Sequence, residues 1–309
     1  MSKSTEISNR FWNLPQKADE EVGREQTFID DIISKAHIER LLFENLDGIE
    51  TAFDGGAGYG RFSLLLAAKG VKVTHFDISL PMLEKAKSLA EARNVANNMT
   101  FVHGTLEDLS AYRDRQFDLV MSFDAPISYT YPNHKAVLQS LVRIANKKLC
   151  ISVYSRLAWT YQFDPAQKKK YILDPNSTDP LVQWTLGQGL KQREGYCPNM
   201  DEVRKFHQTG LMEPLEETAA AFEDGGTPWP ISYAFMPEEL RGILECCGAK
   251  NINLSGPGAL SRSIPREVLR NIFSDEGAKR DFLNFCYEYD SSLYVAGMGK
   301  DNIVAIADV

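Results

Sequence analysis

A glycine-rich segment near residue 55 constrains the fold of this chain more than any other feature. Residues 51–60 read TAFDGGAGYG, an apolar strand pattern that reaches Asp54 and then a loop containing Gly56, Gly58 and Gly60. The pattern RFSLLLAA that follows predicts a helix. Glycine suits such a loop because a tight turn requires positive φ and because a ligand can approach backbone that has no Cβ. A strand, a glycine loop and a helix in this order predict a nucleotide-binding α/β fold.

The spacing of the glycines and of the next carboxylate narrows the class of ligand. The loop reads G-x-G-x-G, and the positions that a dinucleotide pattern G-x-G-x-x-G would require hold Arg61 or Ser63. This spacing argues against an NAD-dependent oxidoreductase. A second strand is predicted over Val71–Asp77, and an acid at such a strand end can accept hydrogen bonds from both hydroxyls of one ribose.

Together these motifs resemble the class I S-adenosylmethionine-dependent methyltransferases, and later segments follow in the order of that family. Phe117–Asp124 is similar to its fourth strand, Leu149–Tyr154 to its fifth, and Met236–Glu245 to its last helix, with further strands at Lys250–Ser255 and Asn302–Asp308. The resemblance implies a doubly wound α/β fold of the Rossmann-like methyltransferase type. Its seven-stranded sheet would be mainly parallel, with an antiparallel final strand.

The resemblance also implies S-adenosylmethionine as the cofactor and assigns roles around it. Gly56 and Gly58 would approach its methionine portion. Asp54 would hold the loop and help orient the amino group of the cofactor, and Asp77 would bind the ribose. The full set of implied cofactor contacts is Asp54, Gly56, Gly58, Asp77, Ile78, Thr105, Leu106, Phe123 and Asp124. Two alternatives stay open: Asp54 caps only loop amides, or Asp77 caps the helix that follows it. His75, inside the second strand, is interpreted as a structural histidine.

The chain divides into three predicted regions. Residues 1–155 hold amino-terminal helices and the cofactor-binding core, 156–235 an inserted substrate or lid segment, and 236–309 the rest of the core with a helical insertion. The inserted segment leaves a strand end beside the ligand crevice, which makes it a candidate lid. Its aromatic residues would line an acceptor pocket or form a small core of their own; they are Trp159, Tyr161, Phe163, Tyr171, Trp184, Tyr196, Phe206, Phe222, Trp229, Tyr233 and Phe235. Phe11 and Trp12 would cover the ligand or anchor the amino-terminal segment.

Four residues near the ends of the predicted fourth and fifth strands are candidate catalytic groups. Tyr129 and His134 lie beyond the fourth strand, and Tyr154 and Arg156 lie at the end of the fifth. Side chains of these types can move a proton or orient an acceptor. For His134 the alternative is an exposed position at the start of a helix.

Composition bounds the partners. The formal net charge is −8 with a pI near 5.3, which gives no general attraction to phosphate backbones. No apolar run reaches the roughly 20 residues that a bilayer requires, and the five cysteines show neither a disulfide framework nor a zinc spacing. We therefore expect a cytoplasmic enzyme without nucleic acid, membrane or metal, and a homo-oligomer stays open as an alternative to a monomer.

The predicted reaction is methyl transfer to a small molecule at oxygen, nitrogen or carbon, by in-line displacement at the sulfonium methyl. The alternatives are a protein or RNA methyltransferase and a non-catalytic S-adenosylmethionine-binding protein.

Overall fold

The computed structural model of the chain describes residues 1–161, 200–212 and 215–309. Its centre is a seven-stranded sheet in the order β3-β2-β1-β4-β5-β7-β6. The strands are β1 Thr51–Gly55, β2 Lys72–Asp77, β3 Met99–His103, β4 Phe117–Ser122, β5 Ala145–Tyr154, β6 Lys250–Ser255 and β7 Asn302–Asp308. The first five strands are parallel and β7 runs antiparallel between β5 and β6. The predicted fold class is confirmed.

Helices cover the sheet and precede it. Three lie before β1, namely α1 Lys3–Trp12, α2 Lys17–Thr27 and α3 Ile29–Phe43. Within the core follow α4 Arg61–Ala68, α5 Leu80–Ala92, α6 His134–Ile144 and α7 Arg156–Tyr161. Later helices span Met200–Thr209, Leu215–Glu223, Pro237–Cys246, Arg266–Phe273 and Glu276–Asp290. Along the described parts of the chain, no helix has the length and apolarity needed to span a membrane.

Both faces of the sheet are buried. Successive side chains of a strand point to opposite faces, and neighbouring residues of one strand belong to different apolar clusters. In β1, Phe53 joins one apolar cluster and Ala52 joins the other. The same alternation separates Val120 from Leu119 in β4. Burial on both faces is typical of a parallel sheet covered by helices, and it leaves the strand ends as the place for polar chemistry.

The register places the predicted ligand residues at one edge of the sheet. Asp54 of β1 pairs with His75 of β2 on one side and with Met121 of β4 on the other. The carboxyl ends of these three parallel strands therefore lie side by side. Asp77 and the segment after Ser122 extend from this edge, where open α/β sheets bind their ligands.

The inserted segment contributes to a small aromatic core. Trp159 and Phe206 are buried together with Tyr129 and Tyr154, and Trp229 packs against them. The described part of the insertion thus packs against the core domain. The predicted aromatic positions Phe163, Tyr171, Trp184 and Tyr196 lie outside the described residues, as does the 162–199 portion of the candidate lid.

Candidate functional site

A cleft opens at the carboxyl ends of β1, β2 and β4. It contains about 970 Å³ of space, counting the part open to solvent. All nine residues predicted to contact the cofactor line this cleft: Asp54, Gly56, Gly58, Asp77, Ile78, Thr105, Leu106, Phe123 and Asp124. The fold therefore gathers residues from four separate segments of the sequence into one site.

The glycine loop forms one wall of the cleft with its backbone. The N–H groups of Gly56 and Ala57 donate to the Phe76 carbonyl oxygen at 2.8 and 3.1 Å. Gly56 has φ of 70°, and a Cβ there would lie 2.4 Å from Pro126. Gly58 has φ of 55°, and a Cβ there would meet no atom within 4 Å. The loop thus packs tightly at Gly56 and offers open space beside Gly58, which fits a ligand held against bare backbone.

Asp77 is clamped by backbone amides. Its two oxygens accept from Gly58 N and from Ser79 N, each at 2.7 Å. Burial raises the pKa of Asp77 to about 6, although these amide hydrogen bonds act in the opposite direction. The next helix is capped by Ser79, whose hydroxyl accepts from Met82 N. Each carboxylate oxygen has two lone pairs, so Asp77 retains acceptor capacity toward the cleft that it lines.

Asp54 bonds to a helix side chain. Ser63 Oγ of α4 lies 2.6 Å from Asp54 Oδ2, and only 2% of Asp54 is exposed. Burial, together with repulsion from the carboxylates of Asp77 and Asp124, raises the pKa of Asp54 to about 7, although hydrogen bonds from the Ser63 hydroxyl and backbone amide act in the opposite direction. Ser63 also lies 3.0 Å from His75 Nδ1. The sequence interpretation missed this contact, although the β1–β2 register places Asp54 beside His75.

Asp124 follows β4 in a strained turn. Asp124 and Ala125 have φ of 66° and 62°, a conformation that costs energy for residues other than glycine. The Asp124 carboxylate forms an ion pair with Lys35 of α3, whose side chain is 1% exposed. Desolvation alone would raise the pKa of Asp124, but the Lys35 ammonium holds that pKa below its usual value. Lys35 lies 89 positions from Asp124, so sequence patterns gave no sign of the pair.

Helix α1 covers the cleft. Thr5, Ser8 and Trp12 line it from above, and Ser79 Oγ donates to the Trp12 carbonyl oxygen at 2.7 Å. Phe11 packs against Trp229, with ring centroids 4.8 Å apart. The sequence left two roles open for these residues, covering the ligand or anchoring the amino-terminal segment. Trp12 faces the cleft, and Phe11 anchors the helix.

Two of the four candidate catalytic residues lie together, and one of them, Tyr129, is at the cleft. Tyr129 lines it, and its hydroxyl is 2.5 Å from the hydroxyl of Tyr154. The ring of Trp12 lies 6.0 Å from that of Tyr129 in an edge-to-face arrangement. These rings form an aromatic wall next to the turn at Asp124.

His134 and Arg156 occupy a different place. Arg156 forms an ion pair with Glu239 at 3.1 Å and donates to Tyr233 Oη at 2.9 Å. His134 begins α6 but is 4% exposed, and it stacks on Tyr233 with centroids 4.2 Å apart. Burial lowers the pKa of His134 to about 4. Neither residue is among the described residues that line the cleft.

Within residues 1–161, 200–212 and 215–309, no three His, Cys, Asp or Glu side chains are grouped so that they could hold a metal ion.

Comparisons with known proteins agree with this geometry. A family model described as a methyltransferase domain matches residues 52–148. The chain is 31% identical over 189 residues to the tRNA 5-carboxymethoxyuridine methyltransferase of Escherichia coli strain K12, covering 55% of this chain and 72% of that protein. It is 26% identical over 183 residues to the magnesium-protoporphyrin O-methyltransferase of Rhodobacter capsulatus, covering 56% and 79%.

A solved structure of similar fold is a putative S-adenosylmethionine-dependent methyltransferase from Listeria monocytogenes. The two share 12% identity with a TM-score of 0.51, over 89% of this chain and 98% of that one.

Proposed function

The chain belongs to the class I S-adenosylmethionine-dependent methyltransferases, and we propose that it methylates a small planar acceptor held against Trp12 and Tyr129. The aromatic wall that these two side chains form at the cleft carries the proposal. Aromatic rings favour flat, largely apolar ligands. Helix α1 covers the same side, which suits an acceptor small enough to lie beneath it.

The cofactor assignments form the first part of the proposal. Asp77 accepts from the ribose hydroxyls, because its carboxylate lines the cleft and is already oriented by two amides. Gly56 and Gly58 present backbone to the methionine portion. Thr105 and Leu106 flank the adenine with Ile78 beside them, while Phe123 and Asp124 lie at the methionine end.

Catalysis in this proposal rests on positioning. S-adenosylmethionine, when bound, supplies an activated methyl group, and its transfer requires an acceptor atom in line behind the carbon–sulfur bond. Tyr129 Oη forms a hydrogen bond with the acceptor and fixes the reacting atom. Tyr154 Oη, 2.5 Å away, fixes the Tyr129 hydroxyl. Trp12 and α1 exclude water from the reacting centre.

His134 and Arg156 receive structural roles in this proposal. Arg156 joins the start of α7 to Glu239 and Tyr233, and His134 fills the space between α6 and Tyr233. Their contacts explain their positions without an acceptor.

An RNA base is the second candidate acceptor, and the tRNA methyltransferase relative favours it. A nucleobase is also planar, so the aromatic wall suits it equally. The formal net charge of −8 argues in the other direction, because binding to RNA draws most of its affinity from neutralising phosphates.

The test is production of S-adenosylhomocysteine from S-adenosylmethionine with a panel of planar small molecules and, separately, with unmodified tRNA. Turnover with small molecules supports the proposal, and turnover with tRNA alone replaces it with the second candidate. Tyr129→Phe should lower kcat about tenfold, since one orienting hydrogen bond contributes about 1.4 kcal/mol. Tyr233→Phe is the matched control away from the cleft. Equal kcat for Tyr129→Phe and the wild type would exclude Tyr129 as the orienting group.

A further inference from the structure

Three buried side chains form a continuous hydrogen-bonded chain beneath the glycine loop. Asp54 Oδ2 lies 2.6 Å from Ser63 Oγ, and Ser63 Oγ lies 3.0 Å from His75 Nδ1. The other ring nitrogen, His75 Nε2, lies 3.1 Å from the carbonyl oxygen of Gly58. Ser63 and His75 have no exposed surface and Asp54 has 2%. The chain therefore joins the cleft to a strand interior that solvent does not reach.

Counting protons restricts this chain to two arrangements. A carbonyl oxygen only accepts, so His75 Nε2 carries a proton, and Ser63 has one hydroxyl proton to share between its two neighbours. If Asp54 is ionised, Ser63 donates to it and His75 Nδ1 must donate to Ser63, which makes His75 an imidazolium. If Asp54 is protonated, it donates to Ser63, which donates to a neutral His75. Both arrangements hold the same number of protons and differ only in where the charges lie.

We propose that Asp54, Ser63 and His75 form a proton relay in which His75 takes the proton of Asp54 when the positively charged cofactor binds. This inference rests on the proposed placement of the methionine portion against Gly56 and Gly58, in the cleft that Asp54 also lines. Binding moves one proton from Asp54 to Ser63 while the Ser63 proton moves to His75 Nδ1. Asp54 gains a negative charge facing the cleft, and no proton is exchanged with solvent. His75 is thus a positioning residue that acts through Ser63.

The surroundings of Asp54 favour the protonated carboxyl until a cation arrives. Burial raises the pKa of Asp54, with Asp77 and Asp124 adding repulsion, and burial lowers the pKa of His75. The other charged side chains that line the described cleft are Glu21 of α2 and Arg61 of α4, which pairs with Glu39. Behind the cleft, Lys35 pairs with Asp124. On the far side, His75 packs against the uncharged ring of Phe101.

The relay would distinguish the cofactor from its product. S-adenosylmethionine carries a positive sulfonium, whereas S-adenosylhomocysteine lacks the transferred methyl group and has a neutral sulfur. After methyl transfer the proton returns from His75 to Asp54, and the cleft loses the negative charge that favoured the substrate form. Because the proton stays inside the protein, this preference should not depend on pH.

Calorimetric titration of S-adenosylmethionine and S-adenosylhomocysteine across about pH 5.5 to 7 tests the relay. The quantity compared is the affinity for S-adenosylmethionine divided by the affinity for S-adenosylhomocysteine. The ratio cancels contributions common to both ligands, including that of Asp77. We expect a wild-type ratio that changes less than about twofold. In Ser63→Ala the relay is cut and Asp54 must lose its proton to solvent. The ratio should then fall by up to about tenfold per pH unit as the pH drops below about 7.

Ser255→Ala is the matched control. Ser255 Oγ bonds to the buried His37 at 3.1 Å, which is a similar histidine–serine pair. This pair lies outside the described lining of the cleft. This control should behave as the wild type. If the affinity ratio has the same pH dependence in the wild type and in Ser63→Ala, whether flat or sloped, the proposal is overturned.

Nitrogen-15 spectra of the His75 ring give a direct readout in the wild-type protein. We expect a neutral ring in the free protein and with S-adenosylhomocysteine, and an imidazolium with S-adenosylmethionine. A ring with the same charge in all three samples overturns the relay. Neither measurement contains an acceptor, so failure of the relay is distinguishable from failure of the proposed methylation of a small planar molecule.

Discussion

Replacing Asp77 by asparagine tests the ribose assignment quantitatively. At neutral pH the wild-type carboxylate is ionised, because its raised pKa is about 6. Hydrogen bonds to a charged group contribute about 1.5–3 kcal/mol and neutral ones about 0.5–1.5 kcal/mol. With two ribose hydroxyls, Asp77→Asn should lose about 2 kcal/mol of binding free energy, which is about 30-fold in the Kd for S-adenosylhomocysteine.

The pH dependence gives a second magnitude for the same residue. The ionised carboxylate is the form of Asp77 that binds. A pKa near 6 leaves about a tenth of Asp77 ionised at pH 5. Lowering the pH from about 7.5 to 5 should therefore weaken wild-type binding of S-adenosylhomocysteine about tenfold. The asparagine does not titrate, so this dependence should disappear in the variant. Calorimetric titration measures both effects.

Asp290→Asn is the matched control. Asp290 also accepts from two backbone amides, those of Gly258 and Leu260, and burial raises the pKa of Asp290 to about 6. Asparagine at either position places an NH₂ group against an amide donor, which should cost about 1–3 kcal/mol of folding stability. Loss of affinity should follow only the change at Asp77. A folded Asp77→Asn protein with wild-type affinity, or with the same pH dependence, would refute the reasoning.

The remaining predictions concern the loop and the buried lysine. Gly56→Ala should destabilise the protein by more than 2 kcal/mol in urea unfolding, because the Cβ of the alanine would clash with Pro126. Gly58→Ala should cost only the backbone strain of about 1–2 kcal/mol. Equal losses of stability in the two variants would contradict this difference. Lys35→Met should cost about 1–3 kcal/mol of folding stability, which is less than for a fully buried pair because the Asp124 side chain is 44% exposed. Adding Asp124→Asn should recover part of this loss. Additive losses in the double variant would contradict the pairing.

Local patterns predicted the sheet because each strand carries its own signal. Lys250–Ser255 and Asn302–Asp308 form strands at the predicted bounds. Their apolar residues and the flanking turns fix these limits through short-range sequence alone. The placement of the nine cofactor-contact candidates around one cleft has the same origin, because residues at the carboxyl ends of parallel strands meet at one edge.

Contacts between distant segments could not be predicted in this way. Lys35 reaches Asp124 because α3 packs near the turn after β4, and no periodicity encodes that approach. His134 and Tyr129 are close in sequence, yet α6 buries His134 against Tyr233 while Tyr129 enters the cleft. The direction in which a side chain leaves a loop depends on packing that forms only in the folded protein.

The three carboxylates of the cleft illustrate how the fold controls charge beside a cationic ligand. Repulsion among Asp54, Asp77 and Asp124 opposes ionisation of all three together, and the fold treats each differently. Asp124 is neutralised by the Lys35 ammonium. Asp77 is stabilised by two amides and would contact the ribose, which is common to cofactor and product.

Asp54 has no cation among its described hydrogen-bond partners, and it accepts from the hydroxyl and from the backbone amide of Ser63. It is therefore the carboxylate whose charge can change with the charge of the ligand. Such a group favours the sulfonium over the neutral sulfur, because its negative charge is present only when the additional positive charge of the ligand is bound. The strand ends placed all three acids at the cleft from sequence, whereas the role of Asp54 in the relay required the hydrogen-bonded chain to His75 to be seen.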